Sequence, residues 1–243
     1  MNNTTQLSRN VLARNRRLTA TGVVAILAAL ACADWVRGQV LVPFQIDSGR
    51  VISEKECAVK LTVLGAANRS SAHGGYDRAT TLKLHVTDSV GATVVYEPFG
   101  SFEAPVEGNV NDGQSHTFTI FEMHDANSEF VITGRSWSWD GMGNSNSDWS
   151  VRQTENSNLD PDWVVVLRDG DVVPDLAGFD DQASVEDFLE PYLDIDTQLI
   201  HLGPNDAIYL FELAATSTSA AAYDLQDLIV LLTVQNSPDG SFD

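Results

Sequence analysis

Three carboxylates near the C-terminus, Glu212, Asp224 and Asp227, have the spacing in this sequence best suited to chemistry. Glu212 closes the apolar run 206–213, and Asp227 opens the apolar run 227–234. If those two runs are paired strands, all three acids meet at one end of the pair. Carboxylates gathered in this way repel one another unless a cation, backbone amides or a bound proton relieves them. Calcium is the cation that suits an oxygen-rich site on an exported protein, which makes Glu212, Asp224 and Asp227 the expected metal ligands and calcium the expected cofactor. The competing expectation is that Asp224 and Asp227 cap their own turn through backbone N–H groups, with Glu212 facing solvent.

Trp137, Trp139 and Trp149 form the second constellation, bracketing the polar loop 140–148. Indole faces beside Asp and Asn are what a sugar-binding platform uses, so these three are the candidate ligand-binding residues, for a surface polysaccharide. The structural alternative is that Trp137 and Trp139, two apart on one strand face, fill a core or cover a sheet edge. Asn144, Asn146, Asp148 and Glu155 fall at positions 1, 3, 5 and 12 of a calcium-loop pattern. Trp149 stands where that loop needs Gly and Arg152 takes position 9, which excludes the motif.

The elements that must position these residues are short strands. Runs 206–213 and 227–234 are β-branched, aromatic or aliphatic on both faces, as fully buried strands are. Ile229, Leu231 and Leu210 are expected in the core. Phe211-Glu212, a small polar connector, and Asp224-Leu225-Gln226-Asp227-Leu228-Ile229-Val230 together resemble a domain family of unknown function. That family occurs in secreted and surface-attached bacterial proteins, and its pattern is Phe-Glu, a loop, then Asp-aromatic-Asn-Asp before a Leu/Val run. The resemblance covers about the last thirty residues and implies a surface β domain whose acids form a metal or active site. Leu213, Gln226 and Ala221-Ala222 depart from the pattern, each replacing a polar or acidic residue.

At the other end, Arg9, Arg14, Arg16 and Arg17 precede an 11-residue apolar run, Val23 to Ala33. That length is too short to span a bilayer and right for a signal-peptide core. Residues 1–38 are therefore read as a signal peptide cleaved after 33 or 38, with localisation secreted or at the cell surface and no membrane contact after cleavage. Residues 39–243 then carry 9 basic and 33 acidic residues, a net charge of −24. Such a surface excludes nucleic acid as a partner and leaves a surface polysaccharide or another extracellular protein. Calcium binding and a saline habitat both select this acidity. Only Cys57 remains after cleavage; its alternation with Val59, Leu61 and Val63 places an inert thiol on an apolar strand face.

The rest of the chain is punctuated like a β domain. Residues 82, 84 and 86 alternate with 83, 85 and 87, which puts Leu82, Leu84 and Val86 inward and His85 outward. Trp163 to Pro174 reads as a hairpin turning at Asp169-Gly170. Ser184 with Asp187 marks a capped helix start, and Val185, Phe188, Leu189 and Tyr192 share a face that would lid the sheet. The sequence holds no nucleophile elbow, zinc-protease, phosphate-loop or dinucleotide motif. The expected fold is mainly β: an antiparallel β-sandwich-like domain with one short helix, residues 39–243, with a boundary near 160 as the alternative. The expected function is a non-catalytic extracellular or cell-surface binding or structural protein, steadied by calcium. The alternatives are a carbohydrate-binding module using the Trp-rich loop, and a glycoside or ester hydrolase with a carboxylate pair.

Overall fold

The computed structural model describes residues 41–176, 178 and 182–237. The segment expected to be a signal peptide, residues 1–38, lies outside the described residues. In chain order the strands are β1 (Phe44–Asp47), β2 (Arg50–Ser53), β3 (Cys57–Gly65), β4 (Arg69–Ser70), β5 (Tyr76–Asp77), β6 (Thr80–Thr87), β7 (Thr93–Tyr96) and β8 (His116–His124). They continue with β9 (Glu129–Trp139), β10 (Trp149–Asn156), β11 (Val164–Leu167), β12 (Leu193–Asp194), β13 (Leu199–Ile200), β14 (Asp206–Phe211) and β15 (Leu228–Gln235). One α-helix, α1 (Val185–Leu189), is present among the described residues.

Eleven of the strands build two antiparallel sheets that face each other, while β4 pairs with β5 and β12 with β13 in separate two-stranded ribbons. The five-stranded sheet runs β11-β14-β15-β3-β8, so β15 is central. The six-stranded sheet runs β1-β2-β9-β6-β7, with β10 also paired to β9. Eleven-residue β9 carries β6 along one flank, and divides its other flank between β2 at Glu129–Phe130 and β10 from Thr133 onward. Strands from both sides of residue 160 share the five-stranded sheet. The fold is the expected mainly-β sandwich with one short helix.

Period-two alternation decides which side chains enter the sandwich. Val59, Leu61 and Val63 of β3, Tyr209 and Phe211 of β14, and Leu228, Val230 and Leu232 of β15 face inward. They meet Leu82, Leu84 and Val86 of β6 and Phe130 and Ile132 of β9. Cys57 belongs to this core and is fully buried; burial pushes its thiol up to about 11, so it stays protonated and inert.

The five-stranded sheet is covered on its second face as well. Ile208, Leu210 and Ile229 point away from the sandwich and pack under Val185 and Leu189 of α1, with Ile200 and Leu225. Helix α1 begins as its sequence dictates: Ser184 Oγ accepts from Asp187 N, and the Asp187 carboxylate accepts from Ser184 N. Phe188 packs closely against Gly65, where a Cβ would sit 2.1 Å from the ring. This double cover explains why all six residues of β14 are buried. Leu210 and Ile229 are fully buried, while Leu231 is only half-buried at the edge of the outer cluster.

The hairpin expected at Trp163–Pro174 does not form. The turn itself is there, with Gly170 at φ 83° and Asp171 N donating to Arg168 O. Val164–Leu167, however, pairs in full with Phe211–Ile208 of β14, and the returning Val172 makes only an isolated bridge to Leu199. Pairing with β14 lets Val164 enter the inner core and Leu167 the outer one, burial that a free-standing hairpin could not provide.

Candidate functional site at the end of the central hairpin

The register of the two central strands puts the acids together. Phe211 pairs with Leu228, so the next position of the same ladder sets Glu212 opposite Asp227. Asp224 reaches the same place from the connector, and the three carboxylates each offer an oxygen within 4.8 Å of the others. Glu212 is fully buried, with Asp224 and Asp227 at 2% and 3% exposure. The reading in which Glu212 faces solvent is corrected here: Glu212 is fully buried, and its carboxylate is held by the amides of the connector that follows it.

Glu212 organises that connector. Its Oε1 accepts from Ala214 N at 2.9 Å and Ala215 N at 2.7 Å. Its Oε2 accepts from Asp224 N at 2.8 Å and, more weakly, from Leu225 N at 3.4 Å. Leu225 takes this position at φ 58°, a left-handed conformation seldom adopted by Leu. One carboxylate thus binds both ends of the loop 214–225, and four donors fill its acceptor positions. Asp227 Oδ2 accepts from Leu213 N at 2.6 Å, and Asp224 Oδ2 accepts from Gln226 Nε2 at 2.7 Å. Burial, and then the Glu212 charge and hydrogen bond, hold the Asp227 carboxyl well above the usual carboxylate range. Glu212 and Asp227 thus face each other as a buried carboxyl pair.

A fourth acid reaches the cluster from the other sheet. Glu155 on β10 is 8% exposed. Burial pushes it up to about 7, a shift opposed by a hydrogen bond with Gln153 and reinforced by the charges of Asp160 and Glu212. Sequence reasoning placed Glu155 only in the excluded calcium loop. Gln153 and Glu155 share one side of β10, but no apolar alternation announces that this side is buried. Gln153 Nε2 and Arg152 Nη2 reach the main-chain oxygens of Glu212 and Ala214, at 3.5 and 2.7 Å. The clamp therefore joins both sheets.

The three tryptophans do not come together as one platform. Trp137 is 6% exposed and donates Nε1–H to Thr81 Oγ1, which in turn donates to Phe102 O. The covering loop 97–110 sets the Phe102 ring over this face, with Arg135 4.1 Å and Lys83 4.4 Å from its centroid. Trp139 and Trp149 are a cross-strand pair, both half-buried, and Tyr76 packs edge-on to each at 74° and 73°. Trp139 donates Nε1–H to Gly143 O. Trp137 fills a structural layer, and Trp139 and Trp149 pack around the Tyr76 ring.

Comparison with family models, curated proteins and solved structures finds no match to this chain. Among the described residues, no helix is long and apolar enough to cross a membrane.

Proposed function

We propose that this chain is an exported, non-catalytic β-sandwich domain acting as an extracellular or cell-surface binding or structural protein. In this reading the buried acids serve as an internal clamp. The observation that carries it is the use made of Glu212: in the one group of three carboxylates among the described residues close enough to share an ion, the central member is spent on four main-chain amides. A catalytic carboxylate has to meet substrate, and this one is fully buried. Export rests on the basic flank and 11-residue apolar run at the N-terminus. Mass spectrometry of the exported protein is expected to find Asp34 or Gln39 first; an intact Met1 in the membrane fraction overturns that part.

A calcium-stabilised form of the same domain is the second reading, favoured by one observation. The three oxygens lie within 4.8 Å of one another, no wider than the span across an ion with ligands at ~2.4 Å. Against it, Glu212 has its acceptor positions filled, and Arg69 and Arg78 line the cavity that reaches Asp224 and Asp227. Calorimetry separates the two. The clamp reading expects one melting temperature in chelator and in millimolar calcium, for the wild type and Asp227→Asn alike. A rise with calcium that Asp227→Asn abolishes establishes the ion. Binding to a polysaccharide array, with a tryptophan-fluorescence change lost in Trp139→Ala, would instead establish the carbohydrate module.

A further inference from the structure

The five-stranded sheet has one closed edge and one open edge. At the first, β11 is four residues long and none of its side chains is exposed. At the second, β8 is nine residues long, and Thr117, Phe118, Phe121, Glu122 and Met123 are exposed. Among the described residues, no strand pairs with the outer side of β8. Phe118 faces into the sandwich opposite Leu61, yet it is 38% exposed because nothing beyond β8 covers the mouth. An edge strand offers a bare row of N–H and C=O groups, so edges are ordinarily short, or carry charge, Pro or a bulge. The other edges here follow that rule: β1, β7 and β11 have four residues each, and β10 carries Arg152 at a bulge. β8 has neither Lys nor Pro. Its register shifts only after Ile120, which leaves His116 to Ile120 regular and free to pair.

Charge narrows the choice of partner. The chain has a formal net charge of −20, so two copies repel wherever their acids meet. On β8 the one carboxylate, Glu122, already accepts from the Tyr96 hydroxyl of β7. A basic partner finds little here to attract it, whereas an identical edge brings no free like charge against this one. We propose that β8 is the dimerisation edge of this protein, pairing antiparallel with β8 of a second copy. A two-fold axis through the regular stretch passes beside its middle residue, Phe118. That register sets Phe118 opposite Phe118 of the second copy and Thr117 opposite its Thr119. Aromatic and Thr–Thr pairs of this kind stabilise antiparallel ladders. Phe121, just past the ladder, packs on the edge of the second copy and leaves water. The two sheets become one of ten strands, and growth stops there because the remaining edge of each is the closed β11.

Sedimentation velocity on the purified protein, over a concentration series up to about 300 μM, tests the pairing. A reversible monomer–dimer equilibrium is expected. It should tighten about tenfold or more between ~0.02 and ~0.5 M salt, because screening weakens repulsion between the acidic bodies and spares the uncharged ladder. Phe121→Lys and Thr117→Lys should each weaken the dimer about tenfold or more, as Lys on an edge strand does. Both positions are exposed, so the melting temperature of the monomer should hold. Both variants also make the chain less acidic, so their effect cannot come from added overall repulsion. Leu159→Lys makes the same charge change in the turn leading to β11, at a side chain as exposed as Phe121, and should leave the dimer unchanged. A monomer at every concentration and salt gives the open edge to a different chain and overturns the proposal. Assemblies larger than two, a dimer that both β8 variants leave intact, or equal weakening by Leu159→Lys overturn it as well.

Discussion

Glu212 and Asp148 do the same local job in opposite surroundings. Glu212 collects main-chain amides at the end of the central hairpin, where it is fully buried. Asp148 collects the N–H and hydroxyl of Ser145, at 2.7 and 2.6 Å, in the loop between β9 and β10 at the protein surface. Both loops are polar, both are rich in small residues, and both carry acids three or four positions from a turn. The difference lies in what surrounds them. Water can replace Ser145 for Asp148, whereas nothing can replace Glu212 for the amides of 214, 215, 224 and 225. Chemistry that looks alike in sequence is structural in one place and dispensable in the other, and burial makes the distinction.

The largest expected effect follows from removing the buried member. Glu212→Ala leaves four main-chain donors and the Asp227 carboxyl without their partner, and should cost about 3–5 kcal/mol in urea unfolding. Glu212→Gln keeps one acceptor oxygen and should fall between that variant and the wild type. A loss below about 0.5 kcal/mol for Glu212→Ala, the level of surface changes, would remove the clamp reading.

Next is the floor beneath the clamp. Leu210 is fully buried between β14 and α1, and Leu210→Ala should cost about 2–5 kcal/mol. Leu231→Ala should cost clearly less, because that side chain is only half-buried. Equal losses for the two would mean that the outer cluster covers the sheet more evenly than the structure shows.

Those two leucines also mark what was legible. The strands 206–213 and 227–234 announced themselves because both faces are apolar, and the Ser184–Asp187 cap announced the helix that covers one of those faces. The alternation of Leu82, Leu84 and Val86 likewise fixed the inward side of β6. What stayed hidden depends on long-range register. Nothing in residues 163–174 says that Val164 prefers β14 to its own turn. Phe102 lies in a turn-rich segment with no periodicity, yet it caps the outer face of β6 and β9. The spacing groups the acids, but which one receives the amides follows from Glu212 facing Asp227 one step past Phe211 and Leu228, and a single sequence contains no such pairing.

The pH response should set buried and exposed acids against each other. Glu155 has a folded-state value of about 7 against an ordinary 4.5, so the native state binds its proton more tightly. Its contribution to stability is fully present below pH 4.5 and is lost as pH rises toward 7, by up to about 3 kcal/mol at 1.36 kcal/mol per unit. Asp227, also raised, acts in the same direction. Unfolding free energies measured from pH 4.5 to 8 should therefore fall with pH, and Glu155→Gln should flatten the slope. A wild-type slope of the opposite sign would show that the cluster takes up a cation, or opens, as its protons leave.

The smallest effect belongs to Asp148, and its sign is the informative part. The Ser145 hydroxyl, and then the Ser145 N–H, hold its carboxyl below the ordinary range. The native state therefore favours the ionised form, and what Asp148 contributes is present above the ordinary carboxylate value and lost as pH falls below it. That is the reverse of Glu155. Because Asp148 stands in water, solvent screening keeps the contribution small, and Asp148→Ala should shift the unfolding midpoint at neutral pH by no more than replicate scatter. Gly143 nevertheless approaches closely, with a Cβ placed there only 2.6 Å from Asp148 Oδ2, so the loop is shaped around this carboxylate. Amide exchange localises the effect that the midpoint misses. In Asp148→Ala the amide of Ser145 should exchange faster, while those of Ala214, Ala215 and Asp224 keep their protection. Loss of protection at the second group would mean that the two loops are coupled through β9 and β10, and that the contrast between them is one of degree.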